Sequence, residues 1–240
     1  RRAAQGRLSA LFGERTVRLD RLVKTLDIYG HARRAVAAQT PEARAALEAY
    51  AAGVNAWLRH VNREALGRGA PEFFLFDAKL APWQPADSLA ILKMMALRLA
   101  NGAQSEVRRA RLDALLEPDR LADILPDYPA PASTTPERFS SLFPGARRAA
   151  RAASEGHDPL LAALGPAPDP RLAGASNAWA VDGTRSATRR PLLANDPHLW
   201  LSAPSVWYLA DIGGASVSAI GGTLVGTPAV LVGHNGRVGW

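Results

Sequence analysis

Cysteine is absent from the 240 residues, which excludes a disulfide framework and any thiolate metal site. That absence assigns no compartment, because exported proteins often lack disulfides too. Lysine is nearly missing: of 29 basic residues only three, Lys24, Lys79 and Lys93, are lysines. No uninterrupted apolar run approaches the roughly 18 residues that a spanning helix needs, so no membrane partner is expected. No signal peptide opens the chain, and no internal repeat is visible. The net charge of +7 and pI near 10.5 raise the question of an anionic partner. Yet the bases are scattered along helices and through "ARRAARAA" (146–153), with no aromatics between them. Such a pattern reads as a solvated, arginine-biased surface, and nucleic acid is not expected as a partner.

What is present suits a globular protein with a sizeable core: 48% hydrophobic and 21% charged residues. The charge is uneven. Residues 176–240 carry four arginines against three aspartates, whereas the first 175 residues hold 25 bases against 19 acids. The chain opens on "RRAAQGRL", without Met and in mid-helix pattern, and closes on "GRVGW", which reads as the beginning of a strand. A piece of a longer protein is therefore expected.

Residues 1–125 read as helical. In "TPEARAALEAYAAGVNAWLRHV", Thr40 is the expected N-cap and Pro41 the first helical residue, and Leu47, Tyr50, Val54 and Trp57 mark an apolar face. After a turn-rich stretch with Pro82 and Pro85, Asp87 is the expected cap of a second helix. Asn101-Gly102 interrupts that helix, and Ser105 starts another with Val107, Leu112 and Leu115 near one face. Residues 126–175 are rich in proline, alanine and small residues, a composition that favours a spacer. From 176 the pattern switches to strands: "NAWAVDG", "PLLAND", "SVWYLADI", "ASVSAIGG" and "AVLVGHNG", separated by Gly, Pro, Asn and Asp. Helices, spacer and then strands predict an α+β architecture.

"LAGASNAWAV" (172–181) puts Ser176 after two small residues and before a strand. The residue pattern leaves two readings open. One is a turn or cap residue. The other is a nucleophile, which needs a base to take its proton. No G-x-S-x-G elbow surrounds Ser176, and nothing local marks the downstream His198 as a triad member. Cleavage of the bond before Ser176 would supply a different base, its own α-amine, whose pKa near about 8 leaves a useful fraction neutral.

"GASNAWAV", "PLLANDPHL", "APSVWYLADI" and "VLVGHNGRVGW", in that order, resemble the penicillin acylase family of N-terminal-nucleophile hydrolases. "QGRLSALFGERTVRLDR", "LEAYAAGVNAWL" and "PWQPADSLAILKMMA" are similar to the family's α chain, so the resemblance covers nearly everything but the spacer. It implies an αββα sandwich and a precursor that cuts itself between Ala175 and Ser176. Residues 1–140 would be the α-chain segment helping to build the acyl pocket, 141–175 the spacer, and 176–240 the start of the β chain. Ala175 departs from the family, where glycine is commoner, and slower cleavage is the expected consequence.

The same resemblance implies an amidase acting on a small N-acyl amide, with a β-lactam nucleus, homoserine lactone or lipopeptide core as the amine side. The alternative is a non-catalytic homologue or binding protein in which Ser176 is structural. By resemblance Ser176 is the acyl-accepting nucleophile. His198, 22 residues on, matches a position whose backbone helps hold the substrate amide and whose ring tunes the serine's amine. Leu199 falls at an acyl-pocket position. Ala96 and Ala100 fall where the penicillin G enzyme has bulkier pocket residues, which implies a larger pocket for longer or broader acyl groups. Glu106 matches a glutamate of that enzyme's structural calcium site; oxygen ligands suit calcium, and no cofactor is implied for catalysis. Asn235, in "GHNGR", is expected to support a turn rather than chemistry. The oxyanion-hole donors would come after Trp240. Each is worth about 3–4 kcal/mol, so residues 1–240 alone are expected to be inactive. The implied partner is the remainder of the β chain, and the implied location is periplasmic or secreted.

Overall fold

Helices fill the early part of the chain and antiparallel strands the last part, a mixed α+β organisation. The computed structural model describes residues 1–63, 80–100, 110, 112–113, 115–124, 176–199, 205–214 and 217–240. The helices are α1 (Ser9–Phe12), α2 (Val17–Thr25), α3 (Ile28–Ala37), α4 (Pro41–Arg63), α5 (Pro85–Leu99) and α6 (Pro118–Ile124). The strands are β1 (Asn177–Val181), β2 (Leu192–Asp196), β3 (Trp207–Gly213), β4 (Ser218–Leu224) and β5 (Val232–His234). Two units divide the chain: Arg1–Ala96 with Asp169–Trp240, and Leu97–Pro168.

Thr40 caps α4 as its sequence suggests, its hydroxyl accepting the Ala43 N–H at 3.3 Å, and Pro41 takes the first helical position. The buried stripe is Leu47, Ala51 and Val61, flanked by Val54 and Leu58, but Trp57 stands 54% exposed and off it. The reason is angular. Ten residues beyond Leu47 a side chain has drifted about 80° from the stripe, whereas Leu58 returns to within about 20°. Trp57 instead leans on His60, ring centroids 5.6 Å apart.

Asp87 does not precede its helix as expected. The helix begins at Pro85, and Asp87, in its first turn, reaches back to accept the Gln84 N–H at 2.8 Å while its own N–H donates to the Gln84 carbonyl. This is half of a capping box, with the carboxylate supplied from inside the helix. The fully buried Asp87 also accepts the Tyr29 hydroxyl at 2.9 Å and pairs with Arg1 Nε at 3.3 Å. Burial, and then that bond, push the Tyr29 phenol above its ordinary pKa. Ala4, Ala32 and Ala90 meet beside this cluster with Ile28, Tyr29, Leu89 and Met94 around them, so the N-terminal segment, α3 and α5 approach closely. In the other unit the expected leucine face is not the buried one: Leu115 is exposed, Leu112 half-buried and Asp113 buried, with Val107 outside the described residues.

Asp20, buried in α2, accepts the Leu8 N–H at 2.9 Å, the Ser9 N–H at 2.8 Å and the Ser9 hydroxyl at 2.6 Å. Burial alone would raise its pKa, but the Ser9 and Leu8 bonds together hold the carboxyl below its ordinary 3.8. A depressed folded pKa gives stability that is complete above the unfolded value and is lost as pH falls through the folded one. Asp20→Asn should therefore lower stability at neutral pH and flatten the loss below pH 3.8, so that the two unfolding curves converge in acid. Parallel curves across that range would contradict this account.

All five expected strand runs are strands. β1 and β2 form a hairpin, and β3, β4 and β5 a three-stranded sheet in that order, each pair antiparallel. Large apolar side chains remain exposed on both sheets, among them Trp179, Leu193, Tyr208, Leu209 and Ile212. The Asn235 side-chain oxygen accepts the N–H groups of Arg237 at 3.0 Å and Val238 at 2.8 Å, and Gly236 takes φ +84, so Asn235 does build a turn. That turn folds Gly239 and Trp240 back onto β5.

Candidate functional site

The hairpin register decides what lies near Ser176. Pairs run from Val181 with Leu192 out to Asn177 with Asp196, so one further step puts Ser176 opposite Pro197. Ser176 is exposed at the start of β1, ahead of the first ladder pair. Across from it, the Leu199 N–H donates to the Pro197 carbonyl at 2.9 Å, a three-residue turn with His198 at its apex. His198 Nε2 lies 2.5 Å from Asp196 Oδ2, with 44% and 67% of the two side chains exposed. Nδ1 is then the ring nitrogen left for another partner. The Asp196–His198 pair thus lies at the same open end of the two-stranded hairpin as Ser176.

Of the residues expected to serve the site, Ser176, His198 and the half-buried Leu199 lie at one end of the hairpin. Ala96 sits exposed on α5, and Ala100 just past its end is exposed as well. Ala175, Glu106 and the whole 141–175 spacer lie outside the described residues. Among the described residues no group of three or more His, Asp or Glu side chains could hold a metal ion, and no helix is long and apolar enough to cross a membrane. Asp196 escaped the sequence reading, although Asp-Pro-His carried a signal: alternate residues of an extended segment fall on one side. A separate hollow of about 430 Å³ opens between α3 and the start of α5, lined by Tyr29, Arg33, Val36, Gln84, Pro85 and Ala86. It shares no residue with the Ser176 end of the hairpin.

The chain as a whole is similar to several known proteins. An acyl-homoserine lactone acylase QuiP of Pseudomonas aeruginosa is 30% identical over 249 residues, covering 99% of this chain and 27% of that protein. The penicillin acylase 2 proenzyme of Pseudomonas sp. (strain SE83) is 31% identical over 252 residues, covering 100% of this chain and 30% of its own length. Penicillin G acylase of Escherichia coli is 23% identical over 282 residues, with 100% and 33% covered. The chain thus spans between about a quarter and a third of the curated relatives it matches. No solved structure matches it. The family model for penicillin amidase matches residues 1–240 from end to end, and the chain belongs to that family.

Proposed function

We propose that the protein of which this chain is part hydrolyses the amide of a small N-acyl substrate through an acyl-enzyme on Ser176, after cutting itself between Ala175 and Ser176. The observation that carries the reading is the hairpin end. Ser176 lies exposed one residue before the Asn177–Asp196 ladder pair, and the Pro197–Leu199 turn that presents His198 follows Asp196 at the same end. The names of the relatives support amide hydrolysis, and one of them is named a proenzyme. The proposed fold is the αββα sandwich, in which the apolar side chains exposed on both sheets would be covered by further layers.

In the uncut chain the Ser176 nitrogen is an amide and no base. Attack of the Ser176 hydroxyl on the Ala175 carbonyl moves the acyl group from nitrogen to oxygen, and the nitrogen takes up the proton. Water then opens the ester and leaves a free α-amine. With a pKa near about 8, that amine can accept the hydroxyl proton when Ser176 attacks a substrate amide. The tetrahedral intermediate collapses, the amine product departs with the proton, and water releases the acid from the serine ester. His198, held by Asp196, is proposed to orient the substrate amide and tune the serine's amine. Leu199, with Ala96 and Ala100, is proposed to border the acyl group, the two alanines leaving room for longer or broader chains. Homoserine lactone and β-lactam nuclei are the proposed amine sides. Calcium at Glu106 is proposed as structural only, and no step is routed through it. A periplasmic or secreted location completes the reading.

The decisive measurement is the mass and N-terminal sequence of the protein expressed from the complete gene. Two chains are expected, one beginning Ser-Asn-Ala-Trp. A single intact chain would sink the mechanism.

A further inference from the structure

Tyr29, Arg33 and Val36 follow one another in α3 at helical spacing, so one stripe of the helix carries all three. That stripe faces Gln84, Pro85 and Ala86 at the start of α5, across the hollow of about 430 Å³. A space of this size takes a small organic molecule. Its lining divides by chemistry. Val36, Pro85, Ala86 and the Tyr29 ring are apolar, whereas the exposed Arg33 and Gln84 offer hydrogen-bond donors.

The balance of charge around the hollow favours an anion. Asp27, just before α3, pairs with Arg34 at 2.9 Å, and among the described residues no carboxylate pairs with Arg33. The other carboxylate next to the lining is Asp87, and it is already engaged. It accepts the Tyr29 hydroxyl at 2.9 Å and the Gln84 N–H at 2.8 Å, and Arg1 Nε stands 3.3 Å away. An anion entering here therefore meets one uncompensated guanidinium and no uncompensated carboxylate. The planar guanidinium fork matches a carboxylate, to which it can give two parallel N–H donors. The walls are also set in advance. Asp87 holds the Tyr29 hydroxyl on one side and the Gln84 backbone on the other, and the contact of Ala32 with Ala90 keeps α3 against α5. Walls that are already fixed lose little freedom when a ligand enters.

We infer that this hollow is a binding site for a small organic carboxylate, with the carboxylate on the Arg33 guanidinium and the apolar body against Val36 and Pro85. It goes beyond the hydrolysis proposed above and does not rest on it. The hollow shares no residue with the Ser176 end of the hairpin, and no bond is made or broken in it.

The test uses 4-bromobenzoate with crystals of the full-length protein, because the anomalous signal of bromine reports each bound site separately. A bromine is expected beside Val36 and Pro85, half-occupied at about millimolar concentration. Arg33→Gln changes an exposed helix position, so the fold should stand while the affinity at this site falls by about ten-fold or more. Arg18→Gln removes the same charge from α2, outside the hollow, and should leave the affinity within about two-fold. 4-Bromobenzamide, which has the same body without the charge, should bind here about ten-fold more weakly than the acid. Bromine found only elsewhere overturns the inference, as does an unchanged affinity in Arg33→Gln. Equal losses in the Arg33 and Arg18 variants would mean attraction by net charge alone, and equal affinity for the amide would remove the carboxylate from the recognition. Either result also overturns it. The readout involves neither self-processing nor turnover, so failure of one proposal leaves the other standing.

Discussion

Ser176→Ala in the full-length protein is expected to yield one uncut polypeptide with amidase turnover reduced by a factor on the order of 10⁴ to 10⁶. Two losses coincide in this variant. The hydroxyl that would attack the Ala175 carbonyl is gone, and so is the one that would carry the acyl group. Ser176→Cys separates them. A thiol is a better nucleophile than a hydroxyl near neutral pH, so cutting is expected to persist while amide turnover falls. Mass spectrometry of each variant, beside its rate on an N-acyl amide, reads the two effects independently. An alanine variant that still cuts at the same bond would assign the chemistry to another group. One that cuts nowhere but turns over normally would make Ser176 a processing residue alone.

Asp87→Ala carries the largest expected effect on stability. The carboxylate is fully buried and serves the Tyr29 hydroxyl, the Gln84 N–H and the Arg1 guanidinium together. Removing it strands the Tyr29 and Gln84 donors and takes one partner from the half-buried Arg1 guanidinium, which keeps the Ala81 and Pro82 carbonyls, for a loss of about 2–4 kcal/mol. Asp87→Asn keeps an acceptor oxygen without the charge and should fall between. The measurement is the shift of the denaturant midpoint in an uncut background. A shift worth less than about 1 kcal/mol would mean that water replaces the lost acceptor.

Strands were the most legible part of the fold. Each of the five runs announces itself by β-branched and aromatic residues bounded by Gly, Pro, Asn or Asp, and their pairing is local, so neighbours in sequence are neighbours in the sheet. Thr40-Pro41 was legible for the same reason, since a cap and its helix lie within four residues. Trp57 was misread because spacings of three and four accumulate an angular error over three turns. Asp87 was misplaced by three residues because proline at the first helical position had not been weighed against it. For Ser176, local pattern left a turn and a nucleophile both open; the order of motifs along the chain supplied the nucleophile reading, and the register sets the next residue, Asn177, against Asp196. Tyr50 and Gly226, whose N–H donates to the Tyr50 hydroxyl at 3.1 Å beside Trp83 and Ile91, were not legible as neighbours at all. Their meeting depends on packing across 176 residues of sequence, and nothing in a turn of the form Val-Gly-Thr names the helix that will face it.

Asn55 accepts the Trp83 N–H at 2.7 Å and donates to the Trp83 carbonyl at 3.0 Å, a grip with a consequence in polymer terms. It closes a loop of 28 residues at its base with two hydrogen bonds, and the end of α4 and the start of α5 are fixed whatever runs between them. Closure entropy grows only with the logarithm of loop length, about 0.6 kcal/mol for each doubling. The closure that sets the end of α4 against the start of α5 therefore rests on one side chain, and its entropic cost is met once, at Asn55.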